Sequence, residues 1–462
     1  MIPEPFRIKM VHPIYLRSPE ERKRLLAEAK FNVFHVRADD VFIDLNTDNA
    51  SGTMSDRQWA AMTAADESYS GQASYFKLLD TVPRIFGFEH FVCVHQGRAA
   101  EHVLFSLIVE PGDCVPGNTV FQTTRWNIES SGGVTVDLLV PEAFDTRSDD
   151  PFKGNMDLDQ LMRLIEHVGP TSIPCAIQTI TNEGAGGQPV SVDNLQRSRE
   201  TLNRYGIPLV LDAARFAENA FLVKEREPAY ADRSIEDIVG ETFSCADGFF
   251  MSARHDGLVN IGGLLAVRDA GLFERITAQL NIREGFLTHG GLASRDMEAL
   301  AVGLEEGIEE RYLRYRSSQV RHLADELIAV GVPVVRPIGG HAVYIDAALF
   351  LPHLSLEELP GEALVAQLYL RGGIRAARLS GAMARVDESY GAPMSPHFEF
   401  VRLSIPRRVY TQTHLDYVAE VIADTYRHRD EVVGMRLISV PASLPLWMSE
   451  YEPMDHKSVT SC

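Results

Sequence analysis

Basic residues are scarce in this 462-residue chain: 44 lysines and arginines stand against 64 aspartates and glutamates, a formal net charge of −20. That balance argues against a nucleic-acid partner or an anionic membrane surface, since both select a basic face. A few local arginines can still hold an anion, so a phosphate-bearing ligand is compatible with it. Cysteine is sparse as well. Cys93, Cys114, Cys175, Cys245 and Cys462 are scattered and odd in number, with no Cys-x-x-Cys pair. This fits buried thiols in a reducing compartment better than a disulfide framework or a zinc site. No apolar run is long enough to span a bilayer. The opening MIPEPFRIKM lacks the apolar core of a signal peptide. Internal repeats and low-complexity segments are missing too. The expectation is a cytoplasmic globular protein without a membrane or nucleic-acid partner.

The length suggests two or three domains. Apolar runs at VFIDL (41–45), HFVCVH (90–95), VDLLV (136–140), PCAIQTI (174–180), PLVLDA (208–213), GFFMSA (248–253) and GGLLAV (262–267) read as strands. Amphipathic stretches such as LDQLMRLIEHV (158–168) and VDNLQRSRETLNRYG (192–206) lie between them. Strand, helix, strand in succession predicts a mainly parallel sheet covered by helices. After Asp296 one long helical stretch runs to a glycine before Pro333, followed by short strands mixed with helices. The expected division is an N-terminal segment 1–45 packing with the small domain, a large α/β domain over 46–305, and a small α+β domain over 306–462.

Several residues in this frame carry chemistry. Gln96-Gly97-Arg98 follows a strand and opens a helical stretch; a small residue there lets backbone N–H groups approach a phosphate, although taken alone a plain helix start is the favoured reading. Phe121 could stack on a cofactor ring or simply pack. Asn182 ends a strand run before a Gly-rich turn. Asp212 ends PLVLD, with Arg215 three residues on. A carboxylate at the C-terminal end of a parallel strand lies where α/β folds bind ligands. Beside a pyridine nitrogen it would keep that nitrogen protonated; as an isolated residue it reads equally as a helix N-cap. Ser252 and Arg254 follow the next strand and could both hold phosphate oxygens. Arg402, on an apolar strand, calls for a carboxylate partner from a substrate or from an internal salt bridge.

These pieces, in this order, resemble the β-eliminating lyases of fold type I, the tyrosine phenol-lyase and tryptophanase family, with the phenol-lyase branch the more similar. The resemblance covers almost the whole chain and rests on MSDRQW (54–59), DESYSG (66–71), HQGRAAEH (95–102), AGGQPVS (185–191), LVNIGG (258–263), GGLASRDMEA (290–299) and GGHAVYID (339–346). It implies an aminotransferase-like large domain binding pyridoxal phosphate (PLP). Gln96, Gly97, Arg98, Ser252 and Arg254 would hold the phosphate, and Phe121 would stack on the ring. Asn182 and Arg215 would contact its hydroxyl oxygen, and Asp212 would pair with the ring nitrogen. Arg402, with Thr47 and Asp48, would place an α-carboxylate. Tyr69 matches the family tyrosine that assists leaving-group protonation, and Glu67 and Asn260 match a monovalent-cation site. The family is tetrameric with sites shared between subunits, which implies a homo-oligomer, dimer or tetramer.

The chain departs from the family pattern at the reactive lysine. His255 stands there, and Arg254 replaces the neighbouring lysine. Imidazole cannot form a stable Schiff base, so covalent tethering of PLP is excluded. Histidine can still move a proton near neutrality, whereas a guanidinium stays protonated. The substrate end differs as well. Arg378 is one residue out of register with the phenol-lyase arginine, Gln122 replaces a site threonine, and Leu446-Trp447 replaces an aromatic pair. Four outcomes are open: acid–base chemistry by His255 beside non-covalent PLP or pyridoxamine phosphate (PMP), slow lyase chemistry on a directly bound amino acid, reuse of the pocket for another prosthetic group, and a catalytically inactive binding protein. The favoured expectation is a lyase acting at Cα and Cβ of an aromatic α-amino acid.

Overall fold

The computed structural model describes residues 2–380, 398–439 and 448–454. Contacts divide the described residues into two compact units, one formed by residues 49–317 and the other by those up to 48 with the described residues beyond 317. The division thus falls inside a helix rather than at 305. That helix, Glu310–Ala329, begins tied to the first unit through Lys224–Glu310 and the buried Arg316–Glu218 pair. It ends with Val320, Leu323 and Leu327 in the core of the second.

The first unit is built on seven strands: β1 (Phe91–Val94), β2 (Cys114–Gly117), β3 (Val134–Asp137), β4 (Ala176–Thr179), β5 (Leu209–Asp212), β6 (Gly248–Ser252) and β7 (Gly263–Val267). Their order is β1-β7-β6-β5-β4-β2-β3. β7 runs antiparallel to both its neighbours, and the remaining pairs are parallel. The strands are buried nearly throughout, as expected of a sheet covered on both faces. β2, sequence CVPG, gave no apolar run to read because proline and glycine are depleted in strands.

Four helices of this unit carry or brace the site residues: α1 (Gly97–Ile108), α2 (Gln122–Ser130), α3 (Phe216–Arg226) and α4 (Ser294–Gly307). The sequence predicts one unbroken helix through 297–332, but the chain turns at Ile308-Glu309 before Glu310 resumes the helix. Gly307, at the break, marks a close approach. A Cβ there would stand 2.2 Å from the carbonyl oxygen of Asp256, so the end of α4 is seated on another backbone segment.

The second unit holds a three-stranded antiparallel sheet: β8 (Ala342–Asp346), β9 (Ala377–Ser380) and β10 (Glu399–Ser404), with β10 central. Val343, Ile345, Val401 and Leu403 face one way into the core shared with helix Pro360–Gly372. The run VFIDL contributes only Ile43–Asp44, paired parallel with Ile374–Arg375 in this unit.

Candidate active site

Because β1, β6, β5, β4 and β2 all point the same way, their C-terminal ends line one edge of the sheet, where open α/β sheets bind ligands. Glycines let two of these ends meet. A Cβ on Gly97 would lie 2.8 Å from the Ser252 backbone nitrogen, and one on Gly263 would lie 2.6 Å from the Gln96 carbonyl carbon. The start of α1 is thereby pressed against the end of β6, and Arg254 Nη1 reaches Gln96 Oε1 at 3.4 Å. Gln96, Gly97, Arg98, Ser252 and Arg254 form one cluster. On the adjacent strand β5, Asp212 pairs in register with Phe250 on β6 and with Thr179 on β4. Asn182 is fully buried just beyond β4. Thr119 Oγ1 donates to its side-chain oxygen at 2.6 Å, and the Ala185 N–H donates at 3.0 Å. Phe121 caps α2 in extended conformation and Gln122 begins the helix. Arg215 pairs with Glu183 at 2.7 Å.

His255 follows in a tight turn after β6 and is 6% exposed. Three attachments fix that turn. The Ala253 N–H donates to the Gly262 carbonyl, and the Leu258 N–H to the carbonyl of His255, each at 3.0 Å. Asp256 accepts from the N–H groups of Ala217 (2.8 Å) and Glu218 (3.2 Å), in the first turn of α3, where a carboxylate also meets the positive end of the helix dipole. Gly303 and Gly307 of α4 admit the carbonyls of Gly257 and Asp256.

The unsatisfied groups at this edge define its ligand. Ser252 Oγ, Asn182 Nδ2 and Arg254 Nε are buried without a hydrogen-bond partner among the described residues, a costly arrangement unless something else supplies acceptors. Burial, then the nearby charge of Arg98, lowers the Arg254 pKa, which marks a pair of guanidiniums short of an anion. Burial and then the charge of Glu101 push Asp212 up to about 7, as for a carboxyl awaiting a cation or an N–H donor. A phosphate, a hydroxyl oxygen and a ring nitrogen, all of which PLP carries, would supply the missing partners, so the residue types present fit PLP.

The profile of the family described as beta-eliminating lyase matches residues 44–421. The chain belongs to that family. A tyrosine phenol-lyase of Pasteurella multocida is 43% identical over 97% of this chain and 98% of its own. A tryptophanase of Hyphomonas neptunium is 47% identical over the same shares, so overall identity does not choose between the two activities. Among solved structures, a Sphingomonas wittichii serine palmitoyltransferase aligns at TM-score 0.60 with 12% identity, over 89% of this chain and 97% of its own. A Staphylococcus aureus aminotransferase aligns at 0.54 with 14% identity, over 83% and 94%. These likenesses establish the fold type I architecture. Enzymes of the β-eliminating lyase family depend on PLP, and the relatives found are named lyases.

Within this family member the substrate-end residues divide. In the second unit, Arg402 Nη2 donates to the Asn46 carbonyl at 3.0 Å. Thr47 lies between Asn46 and Asp48, and Asp48 is buried and paired with Arg407 at 2.7 Å. Arg407 gave no signal in the sequence, because only the folded register shows that this arginine of SIPRR neutralises Asp48. Arg378 departs from expectation. It pairs across the sheet with Val401, on the opposite face from Arg402, and its guanidinium is held by Glu399 at 2.5 Å and Glu362 at 3.8 Å. A side chain held this way is not available to a substrate hydroxyl.

Tyr69 is 65% exposed, in ring contact with Phe286 at 5.5 Å and His289 at 4.9 Å. Glu67 faces Arg295 at 3.4 Å, and Asn260 is exposed. Among the described residues no cluster of three or more His, Cys, Asp or Glu could hold a metal, and no helix is long and apolar enough to cross a membrane. Leu446 and Trp447 lie outside the described residues.

Proposed function

We propose that this chain binds PLP without a covalent tether and eliminates the side chain of an aromatic α-amino acid, with His255 handling the proton at Cα. The observation that supports this reading is the set of buried groups without partners at the sheet edge, Ser252 Oγ, Asn182 Nδ2 and Arg254 Nε, beside a buried His255, where by resemblance the reactive lysine would stand. Fold, family and the relatives' names support lyase chemistry on an amino acid, and the phenol-lyase and tryptophanase activities of those relatives support an aromatic one.

Each residue then has a role. Gly97 and the N–H groups opening α1, with Arg98, Ser252, Arg254 and Gln96, hold the phosphate. Phe121 stacks on the ring, Asn182 and Arg215 orient its hydroxyl oxygen, and Asp212 keeps its nitrogen protonated. PLP bound in this way supplies an electron sink for the charge left at Cα. Arg402 takes the α-carboxylate, while Arg407, through Asp48, holds the Asn46–Asp48 segment beside it. His255 removes the α-proton, a role an imidazole can fill because it both accepts and gives a proton. Tyr69 protonates the departing ring; its exposure supports a site completed by a second copy of the chain, in keeping with a homo-oligomer. Glu67 and Asn260 are the candidates for a monovalent-cation site, where the cation would compete with Arg295 for Glu67.

The test is the ligand released on denaturation together with turnover of tyrosine and tryptophan. A PLP mass and ring release that His255→Ala abolishes support the proposal. A different prosthetic group, PMP in its place, no ligand after added PLP, or full turnover by His255→Ala overturns it.

A further inference from the structure

Tyr69 and the phosphate cluster lie on different segments of the first unit, yet one short element touches both. Within residues 284–291, Gly285-Phe286 pairs antiparallel with His289-Gly290. A hairpin this small is not stable on its own in water, so its place is set by what it is fastened to.

At its base it is fastened beside the phosphate cluster. The Glu284 carboxylate, on a side chain 8% exposed, accepts from the His95 N–H at 3.0 Å and meets His95 Nδ1 at 2.6 Å. His95 immediately precedes Gln96, and its carbonyl accepts from the Gly262 N–H at 2.9 Å. Gly291 closes the hairpin: its N–H donates to the Glu284 carbonyl at 3.0 Å. A Cβ on Gly291 would stand 2.6 Å from the Cys93 carbonyl oxygen, so this end is seated directly on β1.

At its far end the hairpin is fastened to the loop that carries Tyr69. Both ring contacts of Tyr69 are with it, through Phe286 and His289. Gln72, fully buried, brings Nε2 to 2.6 Å from His289 Nδ1. An amide nitrogen only donates, so Nδ1 is the acceptor and the imidazole orientation is fixed. Asp66 closes the same loop from below, accepting from the Ala73 N–H at 2.9 Å and the Ser74 hydroxyl at 3.2 Å.

Resting on the reading of Tyr69 as proton donor to the departing ring, and of the edge at Gln96 as a phosphate site, we propose that Glu284 and His289 are positioning residues that tie the Tyr69 ring to the phosphate cluster. An anion held by Gln96, Gly97 and Arg98 fixes the backbone that opens α1, and His95 with it. Opening the hairpin then costs more, because Glu284 must leave donors that no longer follow it. The Tyr69 loop, held through His289, is ordered in the same step.

Backbone hydrogen exchange reads this, with PLP and, separately, inorganic phosphate as probes. In the unaltered protein each slows exchange about fivefold or more at 96–99, at 284–291 and at 66–73. Glu284→Ala keeps the slowing at 96–99 and loses it at the other two segments. His289→Ala keeps it at 96–99 and 284–291 and loses it at 66–73 alone, a pattern that a general loss of stability does not produce. Slowing at 66–73 that persists in both variants would overturn the inference. So would its absence in the unaltered protein while 96–99 responds. A response of all three segments to phosphate but none to PLP supports the tie and strikes the PLP reading; no response at 96–99 to either probe removes the anion site and the inference together.

Discussion

Gly303 and Gly257 meet backbone to backbone: a Cβ on Gly303 would stand 2.0 Å from the Gly257 carbonyl oxygen. Four residues along, Gly307 does the same with Asp256, so one face of α4 is a pair of bare positions on which the His255 turn rests.

Gly303→Ala therefore forces the turn and the helix apart. The expected cost is about 1–3 kcal/mol of stability, as for overpacking elsewhere. A fall in turnover at saturating PLP accompanies it, because His255 moves with Gly257. Denaturant unfolding and single-turnover rates read the two effects. Unchanged values for both would show that the contact is soft.

Arg254→Ala should act with opposite signs on the free and bound protein. In the free protein it removes one of two mutually repelling guanidiniums, so stability holds or rises slightly. PLP affinity falls by roughly 10- to 100-fold, the worth of a charge-assisted phosphate contact at about 1.5–3 kcal/mol. Parallel losses of both would contradict an anion site here.

Asp212 gives a pH dependence with a definite sign. Its folded pKa of about 7 lies above the unfolded value, so the folded state binds the extra proton between about pH 4 and 7. Stability of the PLP-free protein thus falls as pH rises through that window, by at most roughly 4 kcal/mol from this group. Asp212→Asn removes the penalty: it should stabilise the PLP-free protein more at pH 8 than at pH 5, while weakening PLP. Thermal melts at the two pH values check this, and an equal effect at both would refute it.

Arg402 and Arg378 should separate cleanly. Arg378→Ala strands the buried Glu399 and the half-buried Glu362 and costs about 3–5 kcal/mol of stability. Arg402→Ala raises KM for an amino acid while the melting temperature stays near its starting value. If Arg378→Ala changed substrate preference without loss of stability, its assignment to the core face would be wrong.

His255→Lys restores the possibility of a covalent link. Borohydride-stable attachment of PLP to the chain, read by mass, is the expected result. Release of phenol from tyrosine by this variant would place the lost function in the lysine alone; silence would place the remaining difference among Gln122, Leu446 and Trp447.

Much of the site was legible in the chain because strand ends announce themselves. Asp212, Ser252 and Asn182 each close an apolar run, and parallel strands put such residues on one edge. Helices 158–168 and 192–203 could be read from their periodicity. The parts that escaped depend on register or distant contact. The face occupied by Arg378 is set by pairing with Val401, and Asp48 gives no local sign of Arg407. β2 is interrupted by Pro116 and Gly117.

If PLP is held as proposed, without a covalent tether, the histidine at position 255 also changes how the protein relates to its surroundings. A tethered cofactor stays through dilution and purification, whereas one held only by hydrogen bonds and stacking obeys mass action. Occupancy then follows the free PLP concentration, and bound PLP adds stability in proportion to the logarithm of that concentration, about 2.7 kcal/mol at a hundredfold excess over Kd. On that proposal, the amount of folded protein would follow PLP supply.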